Sequence, residues 1–162
     1  MFAATKTVRI IALAAAWALA PTATSLAAEE GHKHEHAAGE AKLVLDHGRK
    51  WQTDAVARQS MDRLRVALSA DLKAIHAGKQ TDARYAALAD QVNAEVANMV
   101  QNCKLEPKVD EQFHVVLTEL LAAAETMQGK EKEVSRRHGA ERMAKALNDY
   151  GRYFQHPGWR RL

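Results

Sequence analysis

From Thr53 to the C-terminus, apolar residues recur every three or four positions in four separate runs, the spacing that keeps side chains on one face of an α-helix. The first run is Ala57, Met61, Leu64, Leu68, Leu72 and Ile75; Thr53 is a good N-cap with Asp54 behind it, and Gly78 ends the helix. The second is Tyr85, Leu88, Val92, Val96, Met99 and Cys103, opened by Thr81 and closed before Pro107. The third carries Phe113, Leu117, Leu120, Ala124 and Met127, with His114 beside the stripe and Gly129 as its stop. The fourth buries Met143, Leu147, Tyr150 and Phe154 until Pro157-Gly158 breaks it. These runs predict helices over about 53–78, 81–104, 108–128 and 134–156. Similar lengths and short connections favour an all-α, up-down-up-down antiparallel four-helix bundle, with almost nothing that reads as a strand.

The pattern upstream is different. Lys6 and Arg9, the apolar run Ile10 to Ala20 and the small residues Ser25-Leu26-Ala27-Ala28 have the layout of a secretory signal peptide over residues 1–28. Residues 29–42 are rich in Ala, Gly, Glu and His without any apolar period, the composition of a disordered His-rich tail. A short lead-in from Leu43 to Trp51 then leads into one domain over residues 43–159, in which Asp46-His47-Gly48 signals a turn and Trp51 a lid across the bundle mouth. No stretch approaches the ~20 apolar residues of a membrane span. The expected location is the bacterial periplasm. Loss of the signal takes away two cations and no acids, so the formal charge of +3 falls to about +1. Arg136-Arg137 and Arg160-Arg161 are isolated pairs, and nucleic-acid binding is not expected.

The single cysteine changes the picture most. In an oxidising compartment Cys103 has no partner for an internal disulfide, which leaves an intermolecular disulfide, a buried inert thiol or a metal ligand. An antiparallel bundle brings the start of the first helix, the end of the second, the start of the third and the end of the fourth to one end. Met61, Cys103, His114 and His156 therefore converge there, their depths differing by roughly one to two turns at ~1.5 Å per residue. A thiolate, two imidazoles and a thioether form a soft donor set. Zinc takes thioethers poorly, magnesium and calcium want oxygen, and copper accepts the whole set, including the arrangement of electron-transfer copper sites. His47 lies near the same end as a further candidate, and His32, His34 and His36 alternate along the tail as a loose chelator. Taken singly, Met61 is a core methionine, His114 an interfacial histidine and His156 a helix-end cation.

Other chemistry is excluded or ranks lower. There is no glycine-rich phosphate loop, no nucleophile elbow and no motif that assigns an enzyme activity. Glu111-Gln112-Phe113-His114 has the Glu-x-x-His spacing of di-iron bundles, which need it on two helices; here one helix has it. No Cys-x-x-Cys-His occurs, so covalent haem attachment is out. Met61 on the first helix and His156 at the end of the last resemble the axial pair of periplasmic b-type cytochrome bundles, which implies noncovalent haem b as the alternative cofactor.

The segments Lys50-Trp51-Gln52-Thr53-Asp54, Asn102-Cys103-Lys104-Leu105 and Tyr153-Phe154-Gln155-His156-Pro157-Gly158-Trp159 resemble marks of a largely uncharacterised family of small exported bacterial helical proteins. That resemblance implies one domain and the same bundle mouth, and carries no activity. The expectation is a periplasmic copper-binding protein for copper handling, tolerance or electron transfer, monomeric or homodimeric, serving a redox or metal-transfer partner. A cofactor-free interaction module is the remaining alternative.

Overall fold

The computed structural model describes residues 42–162. The expected signal peptide and most of the His-rich tail, with His32, His34 and His36, lie outside the described residues. The described chain is an all-α four-helix bundle: α1 (Ala55–His76), α2 (Asp82–Asn102), α3 (Pro107–Met127) and α4 (Arg136–Tyr153), with a two-residue strand at each end of the series, β1 (Trp51–Gln52) and β2 (Phe154–Gln155). Each helix packs on the next and α1 closes on α4. Among the described residues no helix is long and apolar enough to cross a membrane.

Local chemistry accounts for the helix ends. The N-cap of α1 is Asp54, whose Oδ1 accepts the Ala57 N–H at 2.7 Å; the expected cap, Thr53, is one residue early and donates its hydroxyl to the Gln155 carbonyl at 2.9 Å. Thr81 caps α2 by accepting from Arg84, and Ser135 caps α4 by accepting from His138. Pro107 opens α3, where its missing N–H has no helical partner to lose.

Most helix ends fall within two residues of expectation, and two of them bear on the site. Cys103 is the extended C-cap of α2, just past the last helical turn, because the next N–H, that of Lys104, goes to Asp54 Oδ2 at 2.7 Å and not to a helix carbonyl. The fourth helix stops at Tyr153, three residues before the expected end. Phe154 and Gln155 turn extended and pair in parallel with Trp51 and Gln52, so His156 follows a strand and not a helix.

The buried stripes are those of the apolar pattern, with Leu72 and Cys103 only partly covered at the edge. Phe113, Tyr150 and Phe154 fill the mouth end; Phe113 meets Phe154 edge-on at 5.5 Å and Tyr150 stacks on Phe154 at 5.4 Å. The helices α3 and α4 approach closely at Gly139, where a Cβ would fall 2.7 Å from the Ala123 carbonyl oxygen.

Candidate functional site

The four sulfur and imidazole candidates are not equivalent in the folded chain. Met61 on α1 is fully buried in the core. Cys103 is half-buried and His114 is exposed, and both line one cleft of about 280 Å³ at the junction of α2 and α3, together with Met99, Val100, Lys104, Leu105, Asp110, Phe113 and Leu117. Met61 and His156 do not line it. Among the described residues, no three His, Cys, Asp or Glu side chains are grouped closely enough to hold a metal by themselves.

Asp54 organises the thiol. One oxygen caps α1 through Ala57 and the other holds the Lys104 N–H, so a single carboxylate ties the start of α1 to the end of α2. Burial acts to raise its pKa, but the hydrogen bonds from Ala57, Lys104 and the Cys103 thiol, with Arg58 nearby, outweigh that and leave it lowered. The Cys103 thiol is pushed up to about 12, first by burial and then by the negative charge of Asp54 beside it. The free thiol is therefore protonated at neutral pH, and a metal that binds there must displace the proton.

His114 is oriented by its own helix. Its Nδ1 lies 2.9 Å from the Asp110 carbonyl oxygen, which only accepts, so in the neutral ring Nδ1 donates and Nε2 keeps its lone pair. An imidazole held by one nitrogen with the other free is the usual state of a metal-ligating histidine. His156 is arranged oppositely. Its Nε2 faces Asp62 Oδ2 at 3.2 Å and its Nδ1 faces the Tyr150 hydroxyl at 3.1 Å, so Nε2 donates to the carboxylate and Nδ1 accepts from the phenol. Both nitrogens are used, and the ring is enclosed by Tyr150 and Trp159 at centroid distances of 5.8 and 5.0 Å. Burial lowers the His156 pKa, and Asp62 only partly offsets this.

His47 sits on an exposed turn with positive φ, followed by Gly48, and its Nδ1 is 2.8 Å from Asp46 Oδ1. The turn lies apart from the Cys103 cleft in the sense that none of its residues lines it. His138 lines a roomier groove of about 940 Å³ whose walls carry the Arg142–Glu119 and Lys145–Asp149 ion pairs and no sulfur.

No family model, curated protein or solved structure matches the chain. The site therefore rests on its own geometry.

Met99 is buried in the core, as its place in the apolar stripe predicts, and, four residues before Cys103, it also lines the cleft. Asp54 was visible only as a helix-start acid; its second role needs the 50-residue contact to Lys104.

Proposed function

We propose that this protein is an exported copper-handling protein in which Cys103 and His114 are the principal ligands, with the buried Met99 the thioether that lines their cleft. One observation carries the reading: the only cysteine and a histidine whose Nε2 has no hydrogen-bond partner among the described residues, contributed by the end of one helix and the start of the next, line the same small cleft. Thiolate, imidazole and thioether together select soft ions, Cu(I) before others. A high thiol pKa in the free protein is compatible with this, since a coordinated thiol is deprotonated outright. Copper would enter from solvent, because His114 is exposed and the cleft is open, which suits a protein that receives and passes on an ion to a redox or metal-transfer partner. Haem between Met61 and His156 is less favoured, because both nitrogens of His156 are engaged.

The test is anaerobic Cu(I) titration against a chromophoric chelator. Cys103→Ser is expected to abolish tight stoichiometric binding, and His114→Ala to weaken it by at least about tenfold, the cost of losing even an outer-shell partner of a metal site. His156→Gln is expected to retain it. Full affinity in Cys103→Ser would sink the proposal, and loss of affinity in a folded His156→Gln would return His156 to the ligand set.

A further inference from the structure

We propose that the seam between α1 and α4 is a docking face for an anionic phospholipid bilayer, on which the protein lies without spanning it. In sequence Arg160-Arg161 is an isolated pair; the fold puts Lys50, Arg65 and Arg152 beside it. The segment after β2 runs over the seam. His156 faces Asp62 of α1 and Tyr150 of α4, and Trp159 lies under the Arg65 guanidinium at 5.7 Å and edge-on to Tyr150 at 4.9 Å. Leu162 is fixed in turn, its N–H donating to Asn148 Oδ1 of α4 at 3.0 Å. Arg160 and Arg161 are therefore held, exposed, between two anchored residues. Lys50 reaches the same stretch of α4, its Nζ donating to the Gly151 carbonyl at 2.6 Å, and the neighbouring Arg152 is exposed over the Tyr153 ring.

Two acids lie near, and both are already engaged: Asp62 with His156 and Arg65 at 3.2 and 3.6 Å, and Asp149 with Lys145 at 2.8 Å. Among the described residues Lys50, Arg152, Arg160 and Arg161 pair with no carboxylate. Guanidinium forks match phosphate oxygens, each cation near an anionic bilayer adds to binding, and a half-buried tryptophan suits the headgroup boundary. The place of the copper cleft favours a bilayer over an acidic protein. Each helix packs on the next and α1 closes on α4, so the α2–α3 junction that holds Cys103 is on the opposite side of the bundle. A metal-transfer partner seated on the α1–α4 seam would be turned away from the ion, whereas a bilayer there leaves the cleft open to solvent.

The measurement is co-sedimentation of the chain from Glu29 onward, without copper, with vesicles made either of phosphatidylglycerol and phosphatidylcholine in equal parts or of phosphatidylcholine alone. Binding is expected to the anionic vesicles only, and to fall as salt is raised. Arg160→Gln with Arg161→Gln, both exposed, is expected to weaken it by about thirtyfold, roughly fivefold for each charge removed. Lys130→Gln with Lys132→Gln removes the same charge from the α3–α4 loop at the far end of the bundle and is expected to leave binding within about twofold. Equal binding to neutral vesicles, or equal losses in the two double variants, would overturn the inference. So would failure to sediment with the anionic vesicles, and capture of soluble polyglutamate in their place would turn the face toward an acidic protein. Each of these results leaves the copper reading standing.

Discussion

Both ring nitrogens of His156 are engaged inside the fold. Tyr150 and Asp62 fix its neutral Nε2–H tautomer, and burial holds its pKa below the ordinary histidine value. In the unfolded chain the ring takes a proton near the usual ~6.5, whereas in the fold it stays neutral to lower pH. Its contribution to stability is therefore complete above pH ~6.5 and is lost as pH falls through the lower folded value. Urea unfolding at pH 7, 6 and 5 should show the wild type losing stability relative to His156→Gln over that interval; parallel curves for the two proteins would remove the assignment. Tyr150→Phe is expected to cost about 1–3 kcal/mol, because it leaves the buried Nδ1 of His156 without its donor. At Cys103 and His114 the residue types were legible in the sequence, but their environments were not. Nothing local to Cys103 announces that Asp54, nearly fifty positions away, lies against its thiol.

At the scale of elements, helix existence was legible because four long apolar stripes have a single period, and a stripe is what a bundle buries. The ends were legible only where a local signal controls them, as at Thr81 and Gly129. The end of α4 was not, because it is decided by β1 pairing with β2 across about a hundred residues, a contact with no local signature. Pro157 set an outer limit for the helix, and the strand pair ended it sooner. The segment after β2 is in turn held by Gly151: a Cβ there would collide with the Trp159 indole, which packs edge-on to Tyr150 at 4.9 Å. Gly151→Ala should displace Trp159, shift its fluorescence toward that of an exposed indole and destabilise the fold by about 1–3 kcal/mol. Unchanged fluorescence would show that the segment is anchored elsewhere. Gly139→Ala acts at the α3–α4 crossing, where the obstacle is backbone, and should lower stability with no comparable change at Trp159.

For the whole molecule, the topology alone brought the ends of α2 and α4 and the starts of α1 and α3 to one end, which is why the site region could be chosen from sequence. Side-chain direction then sorted the candidates, and that depends on helical phase and packing: Met61 points into the core, His114 out to solvent, and His156 is held by a strand-led turn. Binding at the Cys103 cleft joins groups from two helices, and Asp54 links the same junction to α1, so copper should stabilise the fold as a unit. An ion at 100 times its dissociation constant adds about 2.7 kcal/mol, which for a domain of this size raises Tm by about 10 °C. Calorimetry with and without Cu(I) reads this effect. A Cu(I)-dependent rise in Cys103→Ser equal to that of the wild type would place the copper elsewhere.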